Sequence, residues 1–194
     1  MKLKTVLLSA LLVSSTLTAD EASIKKEGVG YIKILGKALK TQMKEQMKMD
    51  KTGLGAMGFC SSSAEVISND INKELPENIL VRRTALKIRN DNNQPDEIDE
   101  KVMNEYQASI DAKTFKPTDI KVVVDGNTTR VYKALVTEKV CLKCHGTNII
   151  APIAKEIKTH YPEDRAIGFT EGSLRGVIVA EISKVEDKED KENN

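Results

Sequence analysis

The segment "KVCLKCHGTN" at residues 139–148 concentrates the reactive side chains of the sequence. It holds two of the three cysteines, Cys141 and Cys144, and one of the two histidines, His145. The spacing C-x-x-C-H is typical of covalent haem attachment. Each thiol can add to one vinyl group of a haem to form a thioether, and the adjacent imidazole can then bind the iron as the proximal ligand.

Three other kinds of site use closely spaced cysteines. A thioredoxin-like redox pair needs C-x-x-C but has no use for His145, and it usually belongs to a βαβ unit. A structural zinc site takes four ligands, which Cys60 and a histidine would have to complete without the usual second ligand pair. A plain disulfide between Cys141 and Cys144 is the third alternative. The histidine directly after the second cysteine favours haem c over all three.

The N-terminal segment "MKLKTVLLSALLVSSTLTAD" has the composition of a secretory signal peptide over residues 1–19. Two lysines precede an apolar run from Val6 to Val13, and small and polar residues follow. We expect cleavage after Ala19 and a periplasmic mature chain, which agrees with haem c because bacteria attach it outside the cytoplasm. An uncleaved anchor is the alternative, although the apolar run is short for a membrane span.

The sixth ligand of the iron needs a separate donor. All six methionines lie at or before Met103, so the methionine that an ordinary small cytochrome c carries downstream of its motif is missing. His160 and Cys60 remain as strong donors. His160 lies in what reads as an exposed loop, where a surface role is the simpler interpretation. Cys60 also fits an apolar helix face, but it is the leftover thiol of an exported chain and follows the glycine-rich stretch at 53–58.

The hydrophobic pattern predicts an α+β fold in which helices pack against an antiparallel sheet. A long helix is expected over 21–51, with an apolar stripe that includes Ile32 and Leu35. A second helix is expected from Cys60 to Pro76, and a third from about Pro95 to Asp111. Strands are expected within 78–90, in a hairpin around the turn "DGN", and over 175–183, with a short helix around Cys141–His145.

Composition narrows the function further. Thirty basic residues nearly cancel 29 acidic ones, for a net charge of +1, which argues against nucleic-acid binding. No segment after the signal peptide is apolar enough to cross a membrane. The domain is expected to span 20–183, and the charged tail at 184–194 to be disordered. Because only that tail follows Ser183, a sensor would need a separate signalling partner.

Four sequence blocks together resemble one family, the PAS-like c-type haem domain of bacterial sensors and of stand-alone periplasmic or cyanobacterial haem proteins. The blocks are "CSSSAEVI", "VRRTALKIRNDNNQPDE", "CLKCHG" and "YPEDRAIGFTEGSLRGVIV", and the resemblance covers about residues 30–183. Asp91 departs from it, since the family tends to have proline there. The resemblance implies a PAS-like fold, a single haem c, His145 as proximal ligand and Cys60 as distal ligand.

The resemblance also implies redox or gas sensing, with a diatomic gas as a candidate ligand. A low-potential electron-transfer cytochrome, with an unknown redox partner, is the alternative. A haem enzyme is less consistent, because a thiolate on the iron would occupy the reactive position, and we identify no catalytic residue. Five arginines within the blocks are candidates to pair the haem propionates, and the sequence does not choose among them: Arg82, Arg83, Arg89, Arg165 and Arg175.

Overall fold

The computed structural model of the protein describes the backbone of residues 14–185 and the side chains of residues 21–185. The helices are α1 (Ser14–Met49), α2 (Leu54–Ser62), α3 (Ala64–Lys73), α4 (Glu97–Asp111), α5 (Leu142–His145) and α6 (Ala151–His160). The strands are β1 (Ile79–Thr84), β2 (Ile120–Asp125), β3 (Thr128–Val136) and β4 (Leu174–Ser183).

The four strands form one antiparallel sheet in the order β1-β4-β3-β2. The predicted hairpin is confirmed: β2 pairs with β3, and Gly126 in the connecting turn has φ 57°, a conformation that glycine adopts without strain. The last strand lies between β1 and β3. The reactive motif at 139–148 therefore lies in the connection between β3 and β4, two strands that are neighbours in the sheet.

Helices cover both faces of this sheet. On one face α1 packs Ile32 and Leu35 against Val131 and Ile178, so the first part of the predicted apolar stripe is buried, whereas Leu39 is only partly buried. On the other face α4 packs Met103 and Tyr106 among residues of β3 and β4. A capping box between Asp96 and Asp99 starts α4 directly after Pro95.

The segment from Gly53 to Leu75 differs from its predicted form. A single helix beginning near Cys60 was expected, but α2 already begins at Leu54, and the chain breaks at Ser63 before α3. The hydroxyls of Ser61 and Ser62 donate to the carbonyl of Gly58 and compete with helical backbone bonding. The glycine-rich break is therefore confined to Gly53, which has φ 99°.

The interpretation of His160 as part of an exposed loop was also wrong, since it is the last residue of α6. Pro152 in the first turn and the buried Ile153 and Ile157, four residues apart, are the local signals of this helix. The predicted signal peptide and charged tail lie mainly outside the described residues, which exclude 1–13 and 186–194. Within the described part, no helix combines the length and apolarity needed to span a membrane.

The close contact between α1 and β3 gives a matched pair of test substitutions. A Cβ added at the buried Gly28 would lie 2.5 Å from Cγ2 and 2.6 Å from Cβ of Val131, whereas one added at Gly30 would meet nothing within 4 Å. We expect Gly28→Ala to lower the free energy of unfolding by about 1–3 kcal/mol through overpacking. Gly30→Ala should raise it by about 0.5–1 kcal/mol through helix propensity. Urea unfolding of both variants measures the difference, and equal effects would contradict this packing of α1.

Candidate functional site

His145 ends the short helix α5 and is held by a loop that precedes β4. Its Nδ1 lies 2.7 Å from the carbonyl oxygen of Ala166. The ring of Phe169 meets the imidazole edge-on, with ring centroids 6.2 Å apart. Backbone hydrogen bonds run from Phe169 N to the oxygen of His145, 2.9 Å, and from Gly168 N to the oxygen of Gly146, 3.1 Å. The imidazole is therefore fixed in orientation by its ring contacts and by its own backbone.

The protonation of His145 follows from its burial. Burial and then the nearby charges of Arg175 and Arg89 lower the pKa of its imidazole to about 3. The ring is neutral at physiological pH, and the carbonyl of Ala166 selects the tautomer that carries its proton on Nδ1. This leaves the lone pair of Nε2 available to bind a metal.

Arg89 ties the reactive motif to that same loop. Its Nε and Nη2 donate to the two carboxylate oxygens of Asp164 at 3.1 and 3.0 Å. Nη2 also donates to the carbonyl oxygens of Cys144, 2.7 Å, and Ala166, 3.2 Å. The side chains of this ion pair are only 8% and 7% exposed, for Arg89 and Asp164 respectively. One guanidinium thus connects the chain after β1, the helix α5 and the carbonyl that orients His145.

Cys60 lies in α2, next to the cysteine motif. The hydroxyl of Tyr161 donates to its carbonyl oxygen at 3.2 Å. Burial raises the pKa of the Cys60 thiol, while the charges of Arg83, Arg89 and Arg175 act in the opposite direction. Burial likewise raises the pKa of Cys144, and Cys60 adds to this effect. Cys60 therefore lies in the same electrostatic environment as the motif, although the sequence separates them by about eighty residues.

The predicted site residues thus fall into two groups. Cys60, Cys144 and His145 share Arg89 as a neighbour, and Cys141 is half-buried at the start of α5. His160, the other candidate distal ligand, lies apart from them. Its side chain is 47% exposed and its Nε2 lies 3.5 Å from a carboxylate oxygen of Glu156. Its surroundings match the surface role that the sequence allowed.

The chemistry of the available donors suits an iron porphyrin better than the alternatives. All three cysteines of the chain are free thiols, so Cys141 and Cys144 are not joined in a disulfide. Within residues 21–185, no group of three or more His, Cys, Asp and Glu side chains is placed to hold a metal ion. Two thiols at the spacing of a haem motif, an oriented imidazole and a half-buried thiol nearby are donors that fit a haem.

Several residues that build this site were not identified from the sequence. Ala166 orients His145 through a backbone atom, so its side chain carries no signal. Asp164 and Arg89 are polar residues in recognisable blocks, but their pairing across 75 positions is not visible in one sequence. Phe169 is one of only three phenylalanines in the chain, and its proximity to His145 depends on the loop returning to α5.

The Arg89–Asp164 pair can be tested against an exposed pair. Arg89→Gln leaves the carboxylate of Asp164 buried without its counter-charge, and we expect a loss of about 3–5 kcal/mol in the free energy of unfolding. Lys73→Gln removes the cation of the exposed pair with Asp70 and should leave stability nearly unchanged. Denaturant unfolding followed by circular dichroism compares the two. If Arg89→Gln lowers the free energy of unfolding no more than Lys73→Gln does, the Arg89–Asp164 pair is not needed for stability.

Comparison with known proteins agrees with this architecture. Among curated proteins, none matches the chain. The solved structure of the cyanobacterial heme-protein Tll0287 is similar at 21% identity, with a TM-score of 0.57, over 82% of this chain and 96% of that chain. This likeness confirms the predicted PAS-like α+β fold with its long N-terminal helix. The Tll0287-like family matches residues 18–183, nearly the whole chain, and the protein therefore belongs to the Tll0287-like family.

Proposed function

We propose that this protein is a periplasmic c-type haem protein that acts in redox or gas sensing. A single haem would be attached through thioethers to Cys141 and Cys144, with His145 and Cys60 as the axial ligands of its iron. The one observation that carries the proposal is the imidazole of His145, which follows C-x-x-C and keeps Nε2 free because Nδ1 is satisfied by Ala166. The heme-protein Tll0287, which shares the fold, is consistent with this cofactor.

Bound at this site, the haem would supply a redox-active iron, and a small molecule could bind it only where Cys60 had been displaced. The contribution of the chain is to hold the group and to choose its donors. Cys141 and Cys144 would fix it covalently, and Arg89 holds the carbonyl of Cys144 in place. A thiolate at Cys60 would stabilise ferric iron, which favours a low reduction potential.

The two proposed axial ligands are held very differently, and this supports sensing. His145 is fixed by Ala166 and Phe169 and, through the Cys144 carbonyl, by Arg89. Cys60 lies instead on the nine-residue helix α2, which follows the left-handed Gly53 and contains two further glycines. Glycine in a helix interior weakens it. A change of iron redox state or ligation would therefore be expected to displace Cys60 rather than His145.

The long helix α1 is placed to respond to such a displacement. The carboxylate of Asp50, just after α1, accepts hydrogen bonds from the backbone nitrogens of Thr52 and Gly55 at the start of α2. Lys143, inside the motif, donates to the carbonyl oxygen of Lys51 at 2.6 Å. Both sides of the proposed site therefore contact the end of α1, from which a separate partner protein in the periplasm could receive the signal.

The distal ligand is tested by Cys60→Ala, with His160→Ala as the matched control. We expect Cys60→Ala to change the absorption and EPR spectra of the ferric protein, because a neutral or weaker ligand replaces the thiolate. His160→Ala should leave both spectra as they are, since that histidine is exposed and pairs with Glu156. Both variants are purified from a host that attaches haem c. An unchanged spectrum of Cys60→Ala would exclude Cys60 as a ligand.

The attachment and the role need two further measurements on the same material. Cys141→Ala together with Cys144→Ala should yield a protein from which acidified acetone extracts any haem, whereas the unchanged protein should retain it.

A reversible redox titration with and without CO distinguishes a sensor from an electron carrier. A sensor exchanges Cys60 for CO on reduction and shows a large positive shift in midpoint potential, whereas an electron carrier keeps both axial ligands and shows none.

A further inference from the structure

Two arginines close to Cys60 have no carboxylate partner. Of the six arginines, three form ion pairs: Arg82 with Asp99 and Glu181, Arg89 with Asp164, and Arg130 with Asp96. Arg165 is exposed to solvent. Arg83 and Arg175 are half-buried, and neither has a salt bridge to any residue between 21 and 185.

Their hydrogen bonding is also incomplete. Arg175 donates through Nη1 to the carbonyl oxygen of Lys87 at 3.1 Å, and its guanidinium lies 5.5 Å from the ring centroid of Phe169. Arg83 has no side-chain hydrogen bond to another residue in the part of the chain that the structure describes. A guanidinium carries five N–H donors in a planar fork. Most of these donors on both side chains therefore make no hydrogen bond to another described residue.

Burial disfavours the charged form of each group and outweighs the more distant carboxylates, Glu65 for Arg83 and Asp164 for Arg175. It lowers the pKa of Arg83, and it lowers the pKa of Arg175 to about 10, where the charge of Arg89 adds to the effect. Desolvating a cation is unfavourable unless an anion or strong acceptors compensate it. Two such side chains beside one candidate site indicate that a ligand with negative charge completes their surroundings.

These arginines lie on neighbouring strands, and the charge of Arg83 acts on Arg175. Arg83 lies in β1, which pairs with β4. In β4 the register against β3 shifts, so that Leu135 lies opposite Gly176 and Val136 opposite Leu174, and Arg175 is the extra residue of the bulge. A bulge changes the direction of the side chain that it carries. The charge of Arg175 acts on both Cys60 and His145, and that of Arg83 acts on Cys60.

We propose that Arg83 and Arg175 form a carboxylate-binding pair that takes the two propionates of the porphyrin. This proposal rests on the proposed function, because it requires the haem. The two vinyl groups that would bind Cys141 and Cys144 and the two propionates lie at opposite edges of a porphyrin. Arg83 and Arg175 would therefore orient the propionate edge of the porphyrin, which the thioethers do not hold. Arginine suits this role because its fork matches a carboxylate in two parallel hydrogen bonds.

The experiment uses the haem-loaded full chain with Arg83→Gln, Arg175→Gln and both together, and Arg165→Gln as the matched control for loss of one positive charge. Because the thioethers would retain the haem, loss of a propionate contact does not release it. We expect the propionate bending bands in the resonance Raman spectrum to shift to lower frequency in each single variant and further in the double variant. Arg165→Gln should reproduce the unchanged protein.

A second set of variants keeps the positive charge, so that a loss of the propionate contact can be told from misfolding. Arg83→Lys and Arg175→Lys keep the charge but lose the two-pronged geometry, and we expect smaller shifts of the same bands. Covalent haem with unshifted bands in all the Arg83 and Arg175 variants would overturn this proposal and leave the proposed function standing. Absence of covalent haem from the unchanged protein would overturn both.

Discussion

The buried ion pair between Arg89 and Asp164 is the interaction on which the rest of the candidate site depends. Nε and Nη2 of Arg89 donate to the carboxylate of Asp164. Nη2 also donates to the carbonyl oxygens of Cys144 and Ala166. The pair adds a buried charged link to the hydrogen bonds that join His145 and Gly146 to the loop before β4. A buried charge pair of this kind is costly to break from one side, which makes the arrangement of His145 a rigid part of the fold.

The part of the site that contains Cys60 is built on a short helix. Cys60 is carried by a short helix between the left-handed Gly53 and the break at Ser63. As the proposed axial donors, a rigidly held imidazole and a thiol on a short glycine-containing helix would form an asymmetric pair, and such asymmetry would suit a site whose ligation changes with redox state. The contacts of Asp50 and Lys143 at the end of α1 connect both parts to the longest element of the chain.

Local patterns were the part of this structure that the sequence could predict. The Asp125–Gly126 turn, the stripe of α1 and the spacing of Cys141, Cys144 and His145 depend on residues within one or two turns of each other. The break at Ser63 was missed because serine hydroxyls compete with helical hydrogen bonds only in the right geometry. The pairing of Arg89 with Asp164, and the bulge that turns Arg175, depend on long-range contacts, which one sequence does not contain.

The central claim is that an iron lies between Nε2 of His145 and Sγ of Cys60. The most direct test is a crystal structure of the haem-loaded protein with an anomalous difference map recorded at the iron absorption edge. We expect one iron peak within bonding distance of both atoms, with the sulfurs of Cys141 and Cys144 joined to the porphyrin. An iron peak bound to His145 but coordinated by His160 or by water in place of Cys60, or no iron in this region, would contradict it.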